Sequence, residues 1–214
     1  MKNLFLFILG MSLITALRAQ LPVRFEPLHH NVLENSYVRL LDVRIPPHDT
    51  SQIHIHETPS IFVIIDNVKT GSQIIKEGNN PAGNAVYNRI WFDGFTQGPR
   101  IHRVWNSDTS LFHVMDIELL HKDPVEVDPL LPDTSLELLF NQKLANGYLL
   151  VLNENKQREI TKRKTPLLLI VLDNTYGHLS VNGRKLNKGD FIFFEENSDI
   201  KIVNYGAHPI RFGL

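Results

Sequence analysis

Short runs of apolar residues recur along the chain, and turn-forming residues separate them. Many runs are rich in β-branched and aromatic side chains, and Ile61–Ile65 is apolar at every position. An uninterrupted apolar run of this length is typical of a strand buried on both faces. Regular short strands predict an all-β sandwich or barrel. The predicted strands are Tyr37–Arg44, Ile61–Ile65, Val86–Phe92, Leu111–Leu119, Tyr148–Leu152, Leu167–Leu172, Phe191–Phe194 and Ile200–Val203.

Part of this pattern occurs twice in the same order. Thr58–Asn67 and Thr165–Asn174 both open with Thr-Pro and close with Asp-Asn around an apolar run, and Asn35–Leu41 resembles Asn146–Leu152 in the same way. Two copies are too few for a solenoid. The duplication predicts two homologous domains packed against each other.

Three prolines, Pro124, Pro129 and Pro132, would interrupt any strand or helix between the two copies. We therefore expect an N-terminal domain over residues 20–123, a linker over 124–133 and a C-terminal domain over 134–214. Thr134–Ala145 is the one segment for which we expect a helix, begun by a cap at Asp133 or Thr134.

The first nineteen residues differ from the rest of the chain. They carry Lys2, then an almost wholly apolar stretch from Leu4 to Leu17, and end with the small residue Ala19. This is the order of parts in a secretory signal peptide. The apolar stretch is shorter than the roughly 18–20 residues that span a bilayer. We expect cleavage after Ala19, a secreted or periplasmic protein, and no stable membrane anchor after cleavage.

Composition and charge exclude several classes. The hydrophobic fraction of 43% and charged fraction of 21% fit a globular chain. The net charge of −1 would become −3 without Lys2 and Arg18, and no basic run recurs beyond residues 162–164, so we expect no nucleic-acid partner. The chain has no cysteine, which excludes thiolate ligands and thiol nucleophiles.

The ten histidines include one pair with informative spacing, His54 and His56. A strand directs alternate side chains to one face, so these two rings can share a metal ion. A third ring from His102, which Asn106 follows four residues later, would leave open positions for water, oxygen or substrate. Imidazole suits iron, zinc, manganese, nickel and copper. The sequence predicts a divalent metal site with His54, His56 and His102 as ligands.

These segments carry a family resemblance. Residues Pro46–His56 and Gly98–Asn106 resemble the two motifs of the cupin superfamily, H-x-H followed by a glutamate and H-x-x-x-N. With the duplication, the mature chain resembles a bicupin of two double-stranded β-helix (jelly-roll) barrels over nearly its whole length. Three-histidine cupins of this kind resemble dioxygenases that use iron(II), which makes iron the foremost metal here.

The departures from the motifs also carry information. The family's glutamate would fall at Ser60 or Ile61, and Glu57, the alternative, should point to the opposite face from His56. In the second copy, alignment places Thr161, Arg163 and Ile200 where the three histidines stand. We therefore expect a three-histidine site in the N-terminal domain and a C-terminal domain that lacks metal ligands.

Two functions remain open at this point. One is a metal-dependent enzyme, a dioxygenase acting on a small organic molecule, with Gln52, Arg103 and Asn106 as candidates to orient the ligands or contact the substrate. The other is a secreted cupin that binds or supports without catalysis, because fold does not imply function. A small-molecule ligand is expected in either case, and a homodimer is an open alternative to a monomer.

Overall fold

The computed structural model shows a chain of short strands joined by tight turns. It describes residues 20–76, 89–122, 130, 133–161, 163–173 and 175–213, so the expected leader lies outside the described residues. Within these ranges the helical content is one 3₁₀ turn, Val23–Phe25. None of the described helices could cross a membrane.

The strands are β1 (Leu21–Pro22), β2 (His29–Glu34), β3 (Val38–Ile45), β4 (His54–His56), β5 (Ser60–Asp66), β6 (Thr70–Lys76), β7 (Ile90–Asp93), β8 (Arg100–Asn106), β9 (Phe112–Leu119), β10 (Leu136–Asn141), β11 (Asn146–Leu152), β12 (Gln157–Ile160), β13 (Leu167–Val171), β14 (Leu179–Val181), β15 (Arg184–Leu186), β16 (Phe191–Phe194), β17 (Ile200–Asn204) and β18 (Ile210–Gly213).

These strands form four sheets, two in each half of the chain. The first half contains a four-stranded sheet, β1-β4-β8-β6, and a five-stranded sheet, β2-β3-β9-β5-β7. The second half contains a five-stranded sheet, β10-β11-β18-β13-β16, and a four-stranded sheet, β12-β17-β14-β15. No described strand pairs across the halves. The predicted all-β fold of two jelly-roll barrels is confirmed, while the predicted boundaries remain predictions because most of the expected linker lies outside the described residues.

The two five-stranded sheets pack against each other and are buried on both faces. In β5, Phe62 belongs to the apolar core of the first barrel, whereas Val63 and Ile65 point the other way. These two side chains join Ile170 and Leu172 in a cluster that both barrels share. The prediction that Ile61–Ile65 is buried on both faces is confirmed.

Polar contacts at this interface repeat the sequence duplication. Asp66, from the first Asp-Asn motif, pairs with Lys188 of the second barrel. Asp173, from the second motif, has an Oδ1 atom 3.5 Å from Nη1 of Arg89 in the first barrel. Each copy therefore uses the same aspartate to meet a cation of the other copy.

The expected helix over Thr134–Ala145 is wrong. Residues Leu136–Asn141 form β10, which pairs antiparallel with β11. The Asp133 carboxylate accepts a hydrogen bond from the Ser135 amide at 2.7 Å, so the expected helix cap is a turn that leads into a strand. Pairing with the neighbouring strand outweighs local helix preference here.

Candidate metal centre

Three histidine rings from two neighbouring strands point into the first barrel. His54 and His56 are the first and last residues of β4, so the two-residue period of a strand directs both rings to one face. β8 runs antiparallel to β4 and places His102 directly opposite His54. His54 is 1% exposed and His56 is 3% exposed.

The rings converge through their Nε2 atoms. Nε2 of His56 lies 3.1 Å from Nε2 of His54 and 3.1 Å from Nε2 of His102. Imidazole nitrogens bind divalent first-row metals at about 2.0–2.2 Å, so nitrogens at these separations can share one ion. These residues form the one group of three or more metal-ligating side chains among the described residues.

The opposite nitrogens of two rings meet oxygen atoms outside the cluster. Nδ1 of His54 lies 2.8 Å from the carbonyl oxygen of Gln52, which can only accept a hydrogen bond. Nδ1 of His102 lies 3.2 Å from the hydroxyl of Ser72. A ring that keeps its proton on Nδ1 leaves the lone pair of Nε2 free for a metal. The Gln52 carbonyl therefore holds His54 in the form that binds metal through Nε2, and the Ser72 hydroxyl, which can donate or accept, orients the ring of His102.

The third ring faces a buried carboxyl group that sequence reasoning missed. Asp116 on β9 is 1% exposed, and its Oδ2 lies 3.4 Å from Nδ1 of His56. Among the described residues, neither Nδ1 of His56 nor the Asp116 oxygens have a hydrogen-bond partner. Burial, reinforced by the charge of Glu118, raises the pKa of Asp116 well above its ordinary value. Two acids at alternate positions of the apolar strand β9 were the available sequence signal.

The three rings are neutral at physiological pH. Burial, together with repulsion from His29, lowers the pKa of His54 to about 4. Burial and repulsion from His54 lower the pKa of His102 to about 3. The same two causes lower the pKa of His56 well below its ordinary value. Neutral rings bind metal without first losing a proton.

A fourth histidine, which the sequence pattern did not single out, supports the site. The ring of His29 packs edge-on against that of His54, with centroids 4.8 Å apart. Its Nδ1 lies 2.5 Å from the buried carboxylate of Glu26. The other oxygen of Glu26 accepts a hydrogen bond from the Gln52 amide at 3.0 Å. Glu26 therefore fixes the backbone amide of Gln52, the residue whose carbonyl orients His54.

Gln52 and Arg103 were predicted to orient the metal ligands or contact the substrate, and neither side chain points to the histidine cluster. Gln52 contacts His54 through its main-chain carbonyl, and its side chain is exposed. Arg103 is exposed and donates a hydrogen bond from Nε to Gln73 at 2.9 Å. Because it follows His102 directly in β8, it lies on the opposite face of the strand.

Asn106, the third of these residues, holds a loop. Its Nδ2 donates to the carbonyl oxygens of Ile45 at 3.0 Å and Ser110 at 2.7 Å. Asn204 of the second barrel does the same, donating to the carbonyl of His208 at 2.8 Å. Since the second barrel lacks the histidines, this asparagine serves the fold in both copies.

Aromatic side chains line the barrel interior beside the rings. Phe95 stacks on His56 with centroids 5.8 Å apart, and Phe62 stacks on Trp91 at 5.1 Å. Arg100 donates to Asp93 at 2.7 Å, and its guanidinium lies over Phe95.

Glu57 is exposed and does not belong to the histidine group.

The corresponding positions of the second barrel carry no comparable group. Thr161 is exposed, and Ile200 is 2% exposed within the apolar core. Arg163 is 8% exposed and donates from Nη2 to the hydroxyl of Thr165 at 2.8 Å. Within the described part of this barrel, no three histidine or carboxylate side chains converge.

Comparison with known proteins defines the class of fold. No protein-family model and no curated protein matches the sequence. Solved structures do match, and this chain shares their fold, as the resemblance of its two motifs to those of cupins led us to expect.

Three structures illustrate the similarity. YhhW from Escherichia coli matches with a TM-score of 0.53 at 10% identity, over 88% of this chain and 88% of that one. Oxalate decarboxylase from Lactobacillus farciminis, in a formate complex, has a TM-score of 0.53 at 10% identity over 84% and 76%. A mutant of salicylate 1,2-dioxygenase from Pseudoaminobacter salicylatoxidans has a TM-score of 0.51 at 9% identity over 83% and 71%. At these identities the similarity establishes the fold alone.

Proposed function

We propose that the first barrel binds one divalent first-row metal ion, iron(II) foremost, through His54, His56 and His102. The observation that carries this proposal is the convergence of three neutral rings through Nε2 while their Nδ1 atoms face outer oxygens. A pirin structure of the same fold is a nickel(II) complex, which supports a metal in this kind of barrel and keeps nickel among the alternatives, beside zinc, manganese and copper.

We propose further that the protein is an oxygen-dependent enzyme, a dioxygenase that acts on a small organic molecule at this site. Bound iron(II) would supply open positions at which dioxygen and substrate meet. Three neutral ligands leave the charge of the ion uncompensated, which favours a carboxylate or phenolate substrate. The aromatic wall of Phe62, Trp91 and Phe95 suits a flat ring. The salicylate 1,2-dioxygenase structures, one of them with gentisate adducts, support this choice by analogy.

A non-catalytic binding or structural cupin is the second candidate. The absence of the family's glutamate and the lack of ligands in the second barrel favour it. The outer contacts of the rings count against it, namely the Gln52 carbonyl at His54, the Ser72 hydroxyl at His102 and the buried Asp116 beside His56. A scaffold gains nothing from orienting three metal-binding nitrogens.

Metal analysis tests the first step. Protein purified without a histidine tag should hold one ion per chain after anaerobic incubation with iron(II) and removal of the excess. The His102→Ala variant should hold far less, while its circular dichroism spectrum matches that of the wild type. Equal metal content in the two proteins would contradict the proposed site.

Oxygen consumption tests the second step. Iron-loaded protein should consume oxygen with at least one member of a panel of hydroxybenzoates, and the metal-free protein should not. A stoichiometric ion without consumption on any member would favour the non-catalytic candidate.

We propose a secreted or periplasmic protein, on the signal-peptide pattern of residues 1–19. Sequencing of the mature N-terminus from the exported fraction should begin at Gln20. A chain that keeps residues 1–19 and stays in the cytoplasm would contradict it. Light scattering of the purified protein would decide between a monomer and the homodimer.

A further inference from the structure

An arginine stands beside the three histidines on the inner face of the first barrel. β8 places Arg100 directly opposite His56 of β4 and two residues before His102. Side chains opposite each other on paired strands share a face, and so do residues two apart in one strand. The Arg100 side chain therefore lies on the face that carries the candidate metal centre.

Two further observations place the guanidinium close to the rings. It lies over Phe95, 5.5 Å from the ring centroid, and Phe95 itself stacks on His56. Burial is the main cause of the lowered pKa of His56 and of His102, and the positive charge of Arg100 is a further cause at both rings. Because the interaction between charges falls with distance, this charge lies near both ligands.

Arg100 has a carboxylate partner in the protein and still reaches solvent. Oδ2 of Asp93 accepts a hydrogen bond from Nη2 of Arg100 at 2.7 Å, whereas Oδ1 of Asp93 accepts one from the Phe95 amide at 3.0 Å. Asp93 thus divides its carboxylate between two partners, and a guanidinium has more N–H donors than one carboxylate can accept. The Arg100 side chain is 15% exposed, so a dissolved molecule can reach it.

We propose that Arg100 binds a carboxylate group of the substrate at the metal centre. This inference rests on the proposed function and narrows its substrate class to aromatic carboxylic acids. The planar guanidinium matches the two oxygens of a carboxylate and also packs on aromatic faces, as it does on Phe95. Arg100 is the residue that fixes the acid group, and the histidines are left to hold the metal.

Benzoate and benzamide serve as probes, because they have nearly the same shape and differ in charge. NMR titration of the metal-free chain, in which no ion can bind the carboxylate, should give benzoate the tighter binding by at least about tenfold. This is the ratio that one hydrogen bond to a charged group gives. Arg100→Met should keep benzamide binding and lose the preference for benzoate. Arg103→Met, a matched change at an exposed position on the opposite face of β8, should keep the preference.

A second variant covers the loss of the internal ion pair. Arg100→Met leaves the buried carboxylate of Asp93 without this cation. Combining Arg100→Met with Asp93→Asn removes that charge and keeps an oxygen for the Phe95 amide. Circular dichroism identifies which of the two proteins fold as the wild type does, and each that folds should lose the preference.

Zinc(II), which binds imidazole and has no redox chemistry, separates this inference from the metal site itself. The wild type and Arg100→Met should each hold one zinc ion, and benzoate should bind the zinc-loaded wild type at least about tenfold more tightly than the variant. One ion in each protein with equal benzoate affinity would overturn the role of Arg100 and leave the metal site intact. A wild type that holds no zinc would contradict the metal site, and the metal-free titration would still decide the role of Arg100.

The metal-free titration has three results that would overturn the proposal. The first is equal affinity of the wild type for benzoate and benzamide, and the second is an unchanged preference in a folded Arg100 variant. The third is loss of the preference in Arg103→Met, which would assign it to the general charge of the surface.

Discussion

The two barrels share a frame and differ in what their interiors hold. Both contain a five-stranded sheet buried on two faces, and both place an asparagine, Asn106 or Asn204, at the same loop. The first barrel encloses three neutral imidazoles, whereas the corresponding positions of the second carry Thr161, Arg163 and an apolar core residue. The asparagines that stabilise the fold occur in both barrels, whereas the three histidines of the candidate metal centre occur in the first barrel and are replaced in the second.

Acid should distinguish the barrels most strongly. The pKa of His54 is lowered to about 4 and that of His102 to about 3, below the unfolded value of 6.5. The unfolded chain then binds more protons below pH 6.5, so stability is retained above that pH and lost as pH falls towards the folded values. We expect each of these two rings to remove about 2 kcal/mol between pH 6.5 and 4.5 from the metal-free protein.

Denaturant unfolding at several pH values measures this loss. A variant with glutamine at positions 54, 56 and 102 should show a shallower slope, and the difference between the two proteins isolates the rings. The raised pKa of Asp116 acts in the opposite direction, because its folded carboxyl keeps a proton that the unfolded chain releases. A double difference with Asp116→Asn separates the two. Parallel slopes would contradict burial of the rings.

The shared interface should respond equally from either side. Ile65 and Leu172 are the same residue of the repeat, and each is 0% exposed in the common cluster. Ile65→Ala and Leu172→Ala should each lower the free energy of unfolding by about 2–5 kcal/mol. Urea unfolding measures both. A large cost on one side only would show that the barrels do not contribute equally to the interface.

Removing a ligand should separate the barrels by metal affinity. Binding free energies of about 10–16 kcal/mol for four-ligand sites correspond to roughly 3 kcal/mol per ligand, so His54→Ala should weaken metal binding at least about a hundredfold. Thr161→Ala, at the aligned and exposed position of the second barrel, is the control and should change nothing. Competition with a metal indicator gives both values. A similar loss in both variants would remove the distinction between the two halves.

The repeated asparagine should affect stability and leave metal binding intact. Asn106→Ala and Asn204→Ala each leave buried carbonyls unpaired, at a cost of about 1–3 kcal/mol. Thermal unfolding should show similar losses, and metal affinity of folded Asn106→Ala should stay within a few-fold of the wild type. If Asn106→Ala loses metal as fully as His54→Ala does, Asn106 has a role at the ligands.

Asp116 should affect metal affinity less than the three histidines do. Asp116→Leu removes the carboxyl group that faces Nδ1 of His56, and we expect metal affinity to fall by about 10- to 100-fold. Asp116→Asn keeps an oxygen acceptor and should recover most of it. Equal affinity in all three proteins would show that the 3.4 Å approach has no role in orienting the ring.

Much of this account could be predicted from the sequence, for identifiable reasons. The spacing of His54 and His56 places both rings on one face of a strand, and the repeat predicts two homologous domains. The helix over Thr134–Ala145 failed because its leucines suit either structure and strand pairing decides between them. Asp116 and His29 lie far in sequence from the ligands they approach, so only the fold brings them together. Gln52 acts through its carbonyl, which every residue possesses.

Anomalous diffraction from a metal-loaded crystal tests the central claim most directly. We predict one peak in the chain, about 2.0–2.2 Å from the Nε2 atoms of His54, His56 and His102, and none in the second barrel. A peak elsewhere in the chain would contradict the proposed site. So would the absence of a peak at the three rings in a crystal grown with excess metal.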